Sequence, residues 1–184
     1  IPVAVGVGDE HKRKLLKILK RLKNPTLITD DKVQERLMSF IESNDEHTDL
    51  IDSIENSVIN IESSQNGQIY TSREEDIAFI QYSSGSTSEP KGITLTHKNL
   101  VTNISAIAKG LNLQSSDIGI SWMPLTHDMG LIGTHMTLFS YGLSQIIMDT
   151  DLFIKKPLMW LQQTSKYRAS ILTSPNFGYK HLLK

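Results

Sequence analysis

The sequence predicts an α/β protein, a parallel β-sheet with crossover helices. Three observations predict it. From Ile77 onward, short β-rich runs alternate with helical runs, and such alternation implies parallel strands joined by helical crossovers. Nearer the start, Leu15, Ile18, Leu19 and Leu22 recur at i, i+3, i+4 and i+7, the stripe of a helix packed on a core. An apolar run at Ile77–Tyr82 also leads directly into a hydroxyl- and glycine-rich loop, and open α/β sheets bind ligands at the carboxyl ends of their strands.

The elements follow in order. Ile1–Val7 reads as a strand. Glu10–Leu22 reads as a helix stopped by Pro25, which lacks an N–H. Thr26–Thr29 reads as a short strand, and Asp31–Ser43 as a helix capped by Asp30 or Asp31. Ser43–Ser57 is acidic and polar, a loop or frayed helix. Val58–Ile61 is a candidate strand, and Ser63–Arg73, rich in Ser, Asn and Gly, is a loop or subdomain seam. Ile77–Tyr82 is a strand, Ser83–Gly92 a loop, Ile93–Thr96 an extended piece and His97–Leu111 a helix. Then come strand Ile118–Trp122, helix Met129–Tyr141 and strand Ser144–Met148. Pro157–Tyr167 is a helix with proline in its first turn, where a missing N–H is harmless. Strand Ala169–Thr173 and helix Asn176–Leu183 close the pattern. We divide the chain into residues 1–75, an N-terminal α/β segment, and residues 76–184, a core segment carrying the loop.

Composition narrows the function. The 184 residues suit one ordinary domain or part of a larger one. A formal net charge of −1 argues against nucleic acid or membrane held by bulk electrostatics. With no cysteine, disulfides and thiolate metal sites are excluded, and a reducing, cytoplasmic setting fits. No apolar run approaches the roughly 20 residues of a membrane span. Ile1–Gly8 is apolar without a basic flank, so it does not read as a signal peptide. Lacking an initiator Met, the chain is expected to belong to something longer. The Lys and Arg residues of Glu10–Lys23 read as a solvated face opposite the Leu/Ile stripe, with acidic Ser43–Ser57 as a candidate neighbour.

The loop Ser83-Ser84-Gly85-Ser86-Thr87-Ser88-Glu89-Pro90-Lys91-Gly92 carries the chemistry. Five of its first six residues bear hydroxyls, and Gly85 lets backbone approach a ligand closely. Hydroxyls and free N–H groups form an anion cradle, to which Lys91 adds a full positive charge. Ser-rich turns are usually plain surface loops, but this one follows an apolar strand. A Walker A loop is excluded, because Lys91 is followed by Gly92 rather than Ser or Thr. In the second block, Ser121-Trp122-Met123-Pro124-Leu125-Thr126-His127-Asp128-Met129-Gly130-Leu131-Ile132-Gly133, a strand end delivers His127 towards a cleft and Asp128 caps a helix. No second histidine stands at metal-ligand spacing on that turn, so no metal site is assigned.

The string from Ile80 to Lys91, continuing through Gly92-Ile93-Thr94-Leu95-Thr96-His97-Lys98-Asn99-Leu100, resembles the signature of the adenylate-forming, or AMP-binding, superfamily. That superfamily includes acyl-CoA synthetases, luciferases, nonribosomal adenylation domains and fatty acyl-AMP ligases. The departure is Ser88, where the family more often has Gly; a positive φ there would cost about 1 kcal/mol. The second block is similar to the fatty acyl-AMP ligase branch, and so are Pro157–Leu161, Tyr167–Ser170 and Ser174–Tyr179 in order and spacing. Trp160 and Leu161 read as helix packing; Asn176 and Phe177 are the better site candidates.

The resemblance implies a large N-terminal domain segment of a ligase that activates a fatty acid with ATP. The acyl-adenylate would pass to the phosphopantetheine arm of an acyl carrier protein, as in ligases that load lipopeptide (nonribosomal peptide synthetase) or polyketide synthase assembly lines. Ser83, Ser84, Gly85, Ser86, Thr87 and Lys91 would hold phosphate, with Mg²⁺ carried by the nucleotide. His127, as pocket wall or gate, with Asp128, Asn176 and Phe177 would line the acyl and adenine pocket. The family's catalytic Lys, its C-terminal lid domain, its ribose-binding Asp and its downstream Thr-Glu segment are expected outside this chain. The alternatives are an acyl-CoA synthetase fragment or a non-catalytic nucleotide-binding module.

Overall fold

The computed structural model describes residues 1–3, 8–23, 25–44, 48–51, 54, 67–83 and 91–183. The chain falls into two compact units. One holds Ile1, Val3–Ser72 and Ile80–Thr94; the other holds Pro2, Arg73–Phe79 and Leu95–Lys184.

In the first unit, α1 (Asp9–Arg21) starts with Asp9 and Glu10 and ends with Lys20 and Arg21, charges that complement the helix dipole. It buries Leu15, Leu16 and Leu19 against Leu37, Phe40 and Ile41 of α2 (Asp31–Asn44), with Leu50 and Ile54 completing the cluster. Asp30 is the cap of α2: its Oδ1 accepts from Val33 N at 2.8 Å. The basic face of α1 is not simply solvated. The Lys12 ammonium lies 4.9 Å, and the Arg13 guanidinium 5.6 Å, from the Phe40 ring centroid. Lys20 meets Asp49 at 3.0 Å, so the acidic segment does supply a neighbour, although so exposed a pair adds little stability. Thr48–Leu50 forms one 3₁₀ turn.

Several expected elements change here. Ile1–Val3 has no regular structure, and the rest of the expected first strand lies outside the described residues. Thr26–Thr29 is reduced to a single bridge at Leu27. Val58–Ile61 lies outside the described residues. β1 (Ile77–Ser83) pairs with β2 (Lys91–Thr96) in a two-stranded sheet. Lys91 and Gly92 are thus strand rather than loop, because pairing with β1 keeps them extended.

The second unit is built on a three-stranded sheet, order β4-β3-β5, with β3 (Ile118–Ser121), β4 (Ser144–Ile147) and β5 (Ile171–Leu172). All its pairs are parallel, with Ile120 opposite Ile146 on one side and Leu172 on the other. α3 (His97–Leu111) precedes the sheet. Its capping box has Thr96 Oγ1 accepting from Asn99 N at 3.2 Å and Asn99 Oδ1 accepting from Thr96 N at 3.0 Å. It ends on left-handed Asn112, φ 50°.

The β3–β4 crossover is a π-helix (Met129–Met136) running into α4 (Thr137–Ser140), within the span Met129–Tyr141 expected as one helix. The β4–β5 crossover is α5 (Thr150–Lys155) followed by α6 (Leu158–Tyr167). α5 was not expected; Asp149 caps it, accepting from Leu152 N at 3.0 Å. α7 (Asn176–Leu182) follows β5. The core under the sheet holds Ile120, Trp122, Met148, Phe153 and Trp160. Leu161, expected to pack beside Trp160, is 45% exposed, because only one of two adjacent helical residues faces the sheet. Among the described residues no helix is long and apolar enough to cross a membrane.

One polar staple ties the entry of β3 to the entry of β5. Ser170 Oγ donates to Asp117 Oδ1 at 2.6 Å, Gln114 N donates to Oδ2 at 2.7 Å, and Ser170 N donates to Ile118 O at 2.9 Å. The Ser170 hydroxyl first, then the Gln114 N–H, hold the Asp117 carboxyl below its usual value, against a smaller opposing effect of desolvation. A depressed folded-state pKa stabilises fully above the unfolded value of about 3.9, and that contribution is lost as pH falls through the folded value. Ser170→Ala is therefore expected to lower the thermal midpoint at neutral pH, with the gap to wild type closing in strong acid. Thermal melts at both pH values check this; a gap independent of pH would rule out the carboxylate as the partner that matters.

Candidate functional site

The residues expected to hold phosphate lie at the end of β1, in the sequence that follows it and at the start of β2. β1 delivers Tyr82 and Ser83 to the loop, and Lys91 opens β2 as an exposed residue. Ser84, Gly85, Ser86 and Thr87 lie outside the described residues.

The second block is fully described. At the end of β3, Ser121 Oγ accepts from Met123 N at 3.1 Å. His127 N then donates to Pro124 O at 3.0 Å, closing a turn at the carboxyl end of the central strand. Met129 N lies 2.8 Å from Asp128 Oδ1 and 3.2 Å from His127 Nδ1, while Nδ1 lies 2.7 Å from Asp128 Oδ1. One ring nitrogen cannot both accept from Met129 and donate to Asp128. The shorter distances assign the Met129 N–H to Asp128 and an Nδ1–H donor to the same carboxylate, which in the neutral ring leaves Nε2 as an acceptor. Asp128 is thus the cap expected, and it also orients His127.

Threonine hydroxyls account for the π-helix. Thr134 Oγ1 donates to Met129 O at 3.1 Å and Thr137 Oγ1 to Ile132 O at 2.8 Å, each five residues back, a spacing that widens the turn. Gly130 permits the entry. A Cβ there would strike Pro124 O and lie 2.9 Å from Met123 O, so only glycine lets this helix begin so close to the strand end.

His127 and Phe177 both line a cavity of about 570 Å³, together with Trp122, Pro124, Phe153 and His181. The Phe177 ring is edge-to-face on Trp122 at 5.9 Å. Asp128 and Asn176 are exposed and do not line that cavity. Trp122, Phe153 and His181 were missed as cavity residues. Trp122 stood within the quoted block, but Phe153 and His181 reach it through α5 and α7, and no spacing in the sequence connects them.

The AMP-binding enzyme family matches residues 3–184. The chain belongs to that family. It is 42% identical over 107 residues to a putative acyl-CoA synthetase of Caulobacter vibrioides, covering 58% of this chain and 19% of that protein. It is 41% identical over 109 residues to a medium-chain-fatty-acid–[acyl-carrier-protein] ligase of Teredinibacter turnerae, covering 59% of this chain and 17% of that protein. The crystal structure of a fatty acid AMP ligase from Legionella pneumophila superposes with a TM-score of 0.82 at 30% identity, covering 97% of this chain and 30% of that one. The chain therefore spans under a fifth of the length of these two curated relatives. The expected superfamily is borne out, and the α/β fold with it.

Within the π-helix, Gly130→Ala is expected to destabilise the protein by about 3 kcal/mol, since backbone carbonyls cannot rotate away from the new methyl. Gly133→Ala, with nothing closer than 3.9 Å to its Cβ, is expected to change stability by less than about 1 kcal/mol. Urea midpoints of the two variants check the contrast, and equal losses would contradict it.

Proposed function

We propose that this chain is the N-terminal-domain segment of a fatty acyl-AMP ligase, acting in the cytoplasm, where ATP is supplied. The observation that carries the reading is the orienting contact of Asp128 on His127, set beside an apolar cavity at the carboxyl end of the central parallel strand. Identity of 41% to an acyl-carrier-protein ligase supports it. Residues 1–75 and 76–184 would be its two segments, the second contributing the phosphate loop.

In the reaction, a fatty-acid carboxylate oxygen attacks the α-phosphorus of ATP. A new P–O bond forms, the α–β bridging P–O bond breaks, and pyrophosphate leaves. The donor set suits this. Ser83, Ser84, Ser86 and Thr87 bring hydroxyls, Gly85 brings unobstructed backbone, and Lys91, exposed at the head of β2, brings charge to phosphate oxygens. Mg²⁺, which commonly rides on nucleotide phosphates, would neutralise charge there. His127 would stand at the carboxylate as pocket wall, with Phe177 on the apolar side; Asp128 acts through His127, and Asn176 marks the start of α7. The acyl group would then move from the adenylate to the phosphopantetheine thiol of a carrier protein, with AMP leaving.

The Caulobacter relative favours a second reading, in which coenzyme A is the acceptor. Assaying the complete enzyme with holo-carrier protein and with coenzyme A decides between them. Lys91→Ala in that enzyme is expected to slow ATP–pyrophosphate exchange about a hundredfold. Full exchange by that variant would remove Lys91 from the phosphate site. The 184-residue chain alone is expected to show no exchange; turnover by it would mean that no further domain is needed. If isothermal titration finds binding of neither ATP nor an acyl-adenylate analogue to the complete protein, the enzymatic reading fails.

A further inference from the structure

Tyr82 and Gly92 each stand one residue inside the two strand ends that flank the phosphate-binding stretch. Ser83 follows Tyr82 as the last residue of β1, and Lys91 precedes Gly92 as the first residue of β2. The two strands are hydrogen-bonded neighbours. Ile80 and Tyr82, two residues apart, share one face of β1. A Cβ on Gly92 would lie 3.0 Å from Ile80 Cγ2, 3.1 Å from Tyr82 Cζ and 3.3 Å from Tyr82 Cε1. The end of the phenol ring therefore takes the place that a side chain at Gly92 would need.

Backbone freedom does not account for this glycine, because its φ is not positive. The room it leaves for the ring does. Tyr82 and Ile80 are both half-buried, so a methyl on Gly92 would press on atoms that have neighbours of their own. Overpacking of this kind is relieved by shifts of backbone as well as side chain. The shift would arise directly beside Lys91. Ile93, the next residue of β2, belongs to the same face as Lys91 and is 51% exposed.

Resting on the ligase reading above, we propose that Tyr82 and Gly92 are a positioning pair for the phosphate site. The ring seated on the bare strand sets how Lys91 stands relative to Ser83. It thereby sets the grip on the phosphates of ATP, without either residue of the pair touching the nucleotide. The seat is steric, so it needs the ring of Tyr82 and not the hydroxyl.

The test uses the complete enzyme carrying Gly92→Ala, Tyr82→Phe, Tyr82→Ala, or Gly92→Ala with Tyr82→Ala. Ile93→Ala is the control from the opposite face. ATP–pyrophosphate exchange is followed against ATP and against fatty acid. Gly92→Ala and Tyr82→Ala are each expected to raise the KM for ATP about tenfold, the scale of a small misplacement. The KM for the fatty acid stays as in wild type. Tyr82→Phe keeps the ring and the wild-type KM for ATP, and Ile93→Ala leaves that KM unchanged too. In the double variant the methyl meets no ring, so its loss falls well short of the product of the two single losses. Losses that multiply, a loss in Tyr82→Phe equal to that in Tyr82→Ala, or equal rises in both KM values would overturn the proposal. Should the methyl on Gly92 prevent folding, the comparison of Tyr82→Ala with Tyr82→Phe still decides.

Isothermal titration with ATP provides a readout that needs no turnover. Affinity is expected to fall about tenfold in Gly92→Ala and to hold in Tyr82→Phe. Unchanged affinity in Gly92→Ala would overturn the positioning role. A wild-type enzyme that binds ATP but forms no adenylate with any fatty acid would sink the proposed function, and the titration would still decide what the pair does.

Discussion

The indole of Trp122 lies against the ring of Phe153 with centroids 3.9 Å apart and planes 6° from parallel, joining the end of the central strand to α5. Trp160 meets both rings edge-on, at 6.4 and 5.8 Å. Trp122 O accepts from Thr150 Oγ1 at 2.8 Å, which locks the start of α5 to the same point. On the other side, a Cβ on Gly178 would lie 2.6 Å from the Trp122 ring, so α7 reaches the stack only because that residue is glycine. Strand end, α5, α6 and α7 are thus all referred to one aromatic cluster.

The cluster is chosen for shape at some polar cost. The indole N–H groups of Trp122 and Trp160 find no acceptor among the described residues. An unmet buried donor costs about 1–3 kcal/mol. Burying an aromatic ring removes about 150–250 Å² from water, which at about 25 cal/mol per Å² is worth about 4–6 kcal/mol. Ring burial therefore wins, and the strand end is held rigidly. The turn that follows is different in kind, since His127 and Asp128 are mostly exposed and are ordered by their bonds to one another and to Met129 N. A rigid base thus lies under an open, hydrogen-bonded turn, the kind of place where scaffolds commonly carry functional residues.

The π-helix is the second consequence of crowding at this strand end. The Met123 and Pro124 carbonyls occupy the space a Cβ on Gly130 would need, and the Thr134 and Thr137 hydroxyls donate to carbonyls five residues back. The widened turn lets Met129 and Gly133 line one cavity while Ile132 packs with Leu100 and Ile104 of α3. The same helix thus shapes the wall of that cavity and closes the core behind it.

Much of this was legible from the sequence, for identifiable reasons. The apolar period placed α1 within a residue of its observed ends, and the helix His97–Leu111 was bounded as observed. The hydroxyl-rich loop and the His127 block led to the family because they are local strings whose order alone carries meaning. Elements resting on long-range partners were not legible. Thr26–Thr29 lacked the pairing to be more than a bridge, Lys91 became strand by pairing with β1, and six-residue α5 was too short to show a period. Which of Trp160 and Leu161 faces inward was settled by the sheet. Likewise the meeting of His127 with Phe177, and of Gly133 with Leu111 and Tyr179, spans tens of residues. Local propensity is written into neighbouring residues, so the sequence by itself determined the longer helices and the family. Cavities form where distant elements pack, so only the tertiary structure decided which side chains share one.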